Sequence, residues 1–277
     1  MRPFVRFEAE APNRLWQMDF KGHFALHGRT DGTGVRCWPL TLLDDHSRYQ
    51  LAAEACADER DATVRERLTR IFQRYGLPDA ILTDNGHPWG SPRSLHDGRP
   101  GLTGLSIWLI RLGVTPLHSR PRHPQTLGTL ERLHRSMKSE LLQGRRFVDF
   151  ASAQAGLDRW RQHDNHHRPH EALDAAIPAS RYRISERPMP ATLAEAAYLD
   201  GNLLGRIRHD GCLRCRPGGR HTVDLQLSET FAGQLVAVRP THRDGRFHVG
   251  FANYRIAEVD LAAKPNRPRV THLFERL

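Results

Sequence analysis

The hydrophobic period of this chain switches from two to three-and-a-half once it passes residue 60, and that switch limits the folds open to it. Residues 15–24 read as a strand, and so do 35–43 and 49–53. The turn-rich stretch from Gly28 to Gly34 joins the first two as a hairpin. From Asp61 to Tyr75, the apolar residues Val64, Leu68, Ile71, Phe72 and Tyr75 recur every three or four positions. Only a helix lines such positions on one face. Asp61 reads as its N-cap, with Gly76 and Pro78 as the stop. A short apolar strand at 80–83 ends at Asp84, and 88–101 is loop by composition. A helix at about 102–112 is closed by Gly113, and 114–118 is a strand whose Pro116 suggests an edge. A long helix is expected from about Gly128 to Gln143, and another from about Phe150 to His163 behind an Asp149 cap. Strands first, then strand and helix in alternation, predict an α/β fold: a mixed sheet with flanking helices.

Beyond Pro178 the composition shifts. A Pro-containing connector with a short Ala-rich helix at Leu193 to Ala197 leads to alternating runs at 222–227, 234–238, 247–251 and 254–259. Such runs predict a small all-β barrel or sandwich. The expected organisation is a core at 1–178, a linker at 179–200 and a β domain at 201–277. A chain of 277 residues is long for one domain and comfortable for two.

The formal charge is +10, which favours a polyanion, nucleic acid ahead of an acidic membrane surface. Lysine occurs only at Lys21, Lys138 and Lys264. Arginine supplies the rest, and its planar fork suits phosphate. Four scattered cysteines do not make a secreted disulfide framework. No apolar run approaches the ~18 residues of a membrane span, and no h-region follows Met1-Arg2-Pro3-Phe4. A cytoplasmic chain with no membrane partner is expected.

Three carboxylates carry the chemistry. Asp19 lies in the first strand among Trp16, Met18 and Phe20, where an uncompensated acid is costly. Asp84 follows an apolar strand and precedes Asn85-Gly86; taken alone, it suits a turn as well as a site. Glu131 stands on the long helix opposite the apolar stripe Leu130, Leu133, Met137 and Leu141, in line with Arg135 and Lys138. Taken alone, it suits a helix-stabilising ion pair. The loop before that helix carries Arg120, Arg122, His123 and Gln125, a phosphate-facing composition at a helix start.

Five stretches then point one way: Trp16-Gln17-Met18-Asp19-Phe20, Leu43-Asp44-Asp45-His46-Ser47-Arg48, Thr83-Asp84-Asn85-Gly86, His123-Pro124-Gln125-Thr126 with Glu131-Arg132 and His134-Arg135, and Asn165-His166-His167-Arg168-Pro169-His170-Glu171-Ala172-Leu173. In this order, across about residues 10–180, they resemble the catalytic core of the DDE transposase and retroviral-type integrase superfamily, in its bacterial insertion-sequence branch. The resemblance implies an RNase H-like core with Asp19, Asp84 and Glu131 holding two Mg2+ ions, for which Mn2+ substitutes. It implies 3′-end cleavage and strand transfer on double-stranded DNA, at element ends and target, by a homo-oligomer associated with the bacterial nucleoid. The other reading is a noncatalytic DNA-binding or regulatory remnant of a transposase. Lys138, Arg135, His123, Gln125, Arg120 and Arg122 are the expected DNA contacts.

Some features depart from the family pattern or compete with it. The stretch between Asp84 and Glu131 is longer than usual, with the surplus in the 88–101 loop, where added length is cheap. Leu127-Gly128-Thr129 replaces a more polar context. The core motif begins by Trp16, so end recognition by a preceding helix-turn-helix is not expected within this chain. Asp44 and Asp45 are rival ligands, with a structural turn partnered by Arg48 preferred. His163, His166, His167 and His170 could suggest zinc, with a core-anchoring or DNA-facing role preferred. Cys212 and Cys215 lack a second pair and read as ordinary thiols. The arginines of the β domain (Arg206, Arg208, Arg214, Arg216, Arg220, Arg239, Arg243 and Arg246) suit nonspecific DNA contact.

Overall fold

The computed structural model describes residues 8–28, 34–90, 101–119, 128–199, 201–219, 221–262 and 268–277. The chain divides into two compact units, Met1–Trp89 with Leu112–Pro190, and Gly90–Arg111 with Ala191–Leu277.

The first unit is built on a mixed sheet. Its strands are β1 (Leu15–Phe20), β2 (Phe24–Leu26), β3 (Val35–Asp44), β4 (Gln50–Cys56), β5 (Ala80–Thr83) and β6 (Thr115–His118). β3 pairs antiparallel with β1, β2 and β4, whereas β1, β5 and β6 run parallel. The 15–24 strand of the sequence reading thus breaks in two around Gly22, which sits at φ 85 and lets the chain bend.

Helix α1 (Asp61–Tyr75) buries Val64, Leu68, Ile71, Phe72 and Tyr75, the stripe that its period predicted. Its N-cap position is Arg60 rather than Asp61, and no side chain caps it there. Asp58 instead accepts from the Arg60 N–H and the Thr63 hydroxyl, so Asp61 acts through its charge in the first turn.

Helix α3 (Gly128–Met137) ends earlier than expected and passes into a π turn at Lys138–Leu142, closed by Gln143 N–H to the Lys138 carbonyl at 2.8 Å. The apolar spacing of three, four and four is compatible with either winding. The wider turn carries Glu140, whose Oε2 accepts from Trp160 Nε1 at 2.9 Å and from Arg168. Helix α4 (Phe150–His166) starts at Asp149 with a full capping box to Ser152, as expected, and runs one turn beyond His163. Leu130, Leu133, Met137 and Leu141 join Leu43, Ala53, Leu157 and Trp160 in one apolar cluster. A one-turn helix, α5 (Pro178–Arg181), follows.

The second unit contains helix α2 (Gly104–Arg111), buried on nearly every side. Leu102, Ile107 and Ile110 belong to the apolar cluster of the following strands, so residues 102–110, expected within the core, pack with the C-terminal unit. The strands are β7 (Leu203–Arg206), β8 (Cys212–Cys215), β9 (Val223–Gln226), β10 (Leu235–Pro240), β11 (Arg246–Phe251), β12 (Tyr254–Asp260) and β13 (Arg269–Arg276). They form a five-stranded antiparallel sheet, β13-β12-β11-β10-β7, and a β8-β9 hairpin. Leu213 and Leu225 of the hairpin share a core with Val236, Val249, Phe251 and Val259 of the sheet.

The Ala-rich helix expected at 193–197 is not formed. Five residues are too few to repay helix nucleation, and their backbone is used elsewhere. Arg111 Nη2 donates to the Leu193 and Ala194 carbonyls, and Tyr198 donates to the Leu235 carbonyl. Among the described residues, no helix is long and apolar enough to cross a membrane.

Candidate metal centre

Asp19 is placed by strand register. β1 and β5 pair in parallel with Gln17 beside Leu82. Two residues further along each strand stand Asp19 and Asp84, at the carboxyl ends of neighbouring parallel strands. On its other side Asp19 faces Thr41 of β3. Trp16 and Met18 are fully buried, whereas the Asp19 side chain keeps 28% of its surface exposed.

Asp84 leaves the sheet in a tight turn. Its Oδ1 accepts from the Gly86 N–H at 2.9 Å, and its carbonyl accepts from His118 Nδ1 at 3.0 Å and from the Thr83 hydroxyl at 3.1 Å. A Cβ on Gly86 would lie 3.3 Å from both Asp84 carboxylate oxygens, so glycine lets the turn close over the acid. Asn85 Nδ2 donates to the Ser119 carbonyl, tying the turn to the end of β6.

The electrostatics show that the two acids share one place. Burial pushes the Asp19 carboxyl up to about 7, the negative charges of Asp84 and Glu59 add to the rise, and the Phe20 N–H and Lys21 oppose it. Glu59, which sequence reading passed over, is itself raised by burial and by Asp84. It lies in the loop after β4, where no local pattern marks it. His134 comes from α3, with Nδ1 3.9 Å from Asp19 Oδ2 and Nε2 2.7 Å from the Thr41 hydroxyl. Burial first, then Lys21, draws His134 down to about 4. Its position was visible in the Glu131-Arg132 and His134-Arg135 motif, although its partner was not.

Glu131 is exposed on α3, one turn before His134, and Arg135 and Lys138 are exposed further along. The structure therefore places Asp19 and Asp84 at the ends of adjacent strands and brings α3 to Asp19 through His134. Among the described residues, no group of three His, Cys, Asp or Glu side chains stands ready to hold a metal. Arg120, Arg122, His123 and Gln125 lie outside the described residues, as does Arg220. Two half-buried carboxylates with Lys21 as the cation opposing their charge still suit a hard divalent ion, which would relieve the repulsion that raises Asp19.

The rival sites resolve as structure. Asp44 accepts from the Ser47 N–H and hydroxyl and from the Asn13 N–H. Asp45 accepts from the Ala9 N–H, Gln17 and the Arg48 guanidinium, all buried, while the Arg48 backbone N–H donates to the Asp44 carbonyl, so Arg48 ties into both acids. In the histidine-rich segment the anchors are Asp164 and Asn165, which hold both the side chain and the backbone of Gln50. Cys212 and Cys215 are buried free thiols whose burial pushes both up, Cys215 to about 11. In the second unit Arg206, Arg208, Arg214 and Arg246 each pair with a carboxylate, which dilutes the basic face that their positions suggested.

Two family models described as "Integrase core domain" match residues 9–124 and 112–178, and a third, "IS481 family transposase, C-terminal domain", matches 221–267. The chain belongs to the transposase and retroviral-type integrase core superfamily. Its matches fit the bacterial insertion-sequence branch. An "Insertion element IS407 uncharacterized 31.7 kDa protein" of Burkholderia multivorans is 27% identical over 169 residues, covering 61% of this chain and 55% of that one. This integrase-core chain thus spans about half the length of that relative. Among solved structures, the simian T-cell lymphotropic virus intasome in complex with a PP2A regulatory subunit aligns with TM-score 0.49 at 16% identity, over 90% of this chain and 79% of that one. The HTLV-2 integrase catalytic core in complex with magnesium aligns with TM-score 0.45 at 14% identity, over 64% and 100%.

Proposed function

We propose that this integrase-core chain is a metal-dependent DNA transposase that cuts the 3′ ends of an insertion element and joins them to target DNA. The observation that supports this best is Asp19 beside Asp84, half-buried at the ends of adjacent parallel strands, with the Asp19 carboxyl pushed up to about 7. Asp19, Asp84 and Glu131 would hold two Mg2+ ions, or Mn2+ in their place. When bound, such ions activate an attacking oxygen and stabilise a leaving one in an in-line displacement. The chain's own residues do the rest. Arg135 on α3 and Lys138 at the start of the π turn, both exposed, take backbone phosphates, with Arg120, Arg122, His123 and Gln125 from the preceding segment. Water attacks the phosphodiester at the element end, and the freed 3′-hydroxyl then attacks the target. Joining two ends at once calls for a homo-oligomer on DNA, working at the nucleoid in the bacterial cytoplasm.

The second reading is a noncatalytic DNA-binding remnant, favoured by the lack of a ready three-donor group among the described residues. One assay separates the two. Labelled element-end duplexes are incubated with target DNA and Mg2+ or Mn2+, comparing the natural chain with Glu131→Gln. Metal-dependent joining by the natural chain, lost in the variant, is the expected result. Equal joining by both would end the triad assignment, and no joining by either would favour the remnant.

A further inference from the structure

The buried Thr41 hydroxyl sits against Asp19 but contributes nothing to the chemistry proposed above. It donates to the Asp19 carbonyl at 2.9 Å across the β1–β3 pair. A hydroxyl has one proton and a carbonyl can only accept, so that proton is used. The same oxygen also lies 2.7 Å from His134 Nε2. In that contact the imidazole must donate, which places a proton on Nε2 and turns Nδ1 toward Asp19 Oδ2 at 3.9 Å. The His134 side chain is only 12% exposed, so water competes poorly for either nitrogen. Glu131 and His134 are three residues apart on α3 and therefore neighbours on its surface. The apolar stripe of α3 holds the helix on the sheet without direction, whereas a hydrogen bond sets its turn and depth.

We propose that the Thr41–His134 hydrogen bond fixes the turn of α3 bearing Glu131 against the strand bearing Asp19, making His134 a positioning residue of the metal site. The proposal rests on the reading that Asp19 and Glu131 serve one site. Groups that orient a metal-binding carboxylate or its element are typically worth about 10- to 100-fold in metal affinity.

The test titrates Mn2+ into the full chain and follows free Mn2+ by electron paramagnetic resonance. His134→Phe keeps a ring without the N–H, Thr41→Val keeps the shape without the hydroxyl, and His134→Gln restores an N–H at similar reach. His134→Phe and Thr41→Val should each weaken Mn2+ binding about 10- to 100-fold. The double variant should weaken it no further, and His134→Gln should recover most of the loss. Proton–nitrogen correlation spectra of isotope-labelled histidine should show the His134 proton on Nε2. A bare Nε2 would overturn the proposal, as would wild-type Mn2+ affinity in Thr41→Val, which decides alone if His134→Phe does not fold. Unchanged Mn2+ binding in both Asp19→Asn and Glu131→Gln would instead remove the underlying site, and the proposal with it.

Discussion

The Asp19 carboxyl carries a proton to higher pH in the folded chain than in an unfolded one, rising from the ordinary 3.8 to about 7. An acid raised by folding stabilises the chain least where the folded form must ionise it. With chelator present, the chain should therefore lose stability as pH climbs from about 4 to about 7 and keep that deficit above. Asp19→Asn removes the titrating group. At pH 8 it should be more stable than the natural chain by on the order of 4 kcal/mol, with the difference fading near pH 4. Urea denaturation at the two pH values checks this; a difference independent of pH would place the strain elsewhere. At this scale the sequence singled out Asp19, Asp84 and Glu131 as candidates and read Asp44, Asp45 and Arg48 as a structural turn, as their hydrogen bonds show. It gave no sign of Glu59 or of the use of Thr41, because a side chain's neighbours across a sheet leave no trace in its own segment.

At the scale of elements, local chemistry was legible at the start of α4, though not at the start of α1, where Asp58 rather than Asp61 takes the first-turn donors. Asp149 and Ser152 form their capping box from adjacent backbone, Oδ1 accepting from the Ser152 N–H at 2.7 Å and Ser152 Oγ accepting from the Asp149 N–H at 3.1 Å. Asp149→Ala should lower the urea midpoint clearly. Asp149→Asn should lower it far less, since an amide oxygen caps nearly as well. Equal losses would assign the effect to charge at the helix start. The π turn was not legible in the same way. Its apolar spacing fits an α-helix, and the extra width is tied to Glu140, Trp160 and Arg168, residues brought together from separate segments. Likewise, Leu193 to Ala197 has helical composition but lends its carbonyls to Arg111.

For the whole molecule, a charge of +10 predicts salt-sensitive binding to DNA. Its distribution matters more than its sum. Lys138 is exposed at the start of the π turn, whereas Arg208 already pairs with Asp210. Lys138→Ala should flatten the slope of log affinity against log salt by about one, and Arg208→Ala should change it less. Filter binding of duplex DNA over a range of salt concentrations measures both; an unchanged slope for Lys138→Ala would remove it from the phosphate contacts. By itself, the sequence determined most strands and helices of the core and the β-rich character of the C-terminal part, and it singled out Asp19, Asp84 and Glu131 as candidates, because hydrophobic period and turn chemistry are local properties. Tertiary structure alone decided that Asp84 stands beside Asp19, that Thr41 faces it, and that Leu102, Ile107 and Ile110 join the core of the C-terminal unit. Strand register and helix packing are settled between segments far apart in the chain, where the free energy lies in pairing and burial that no single window of sequence contains.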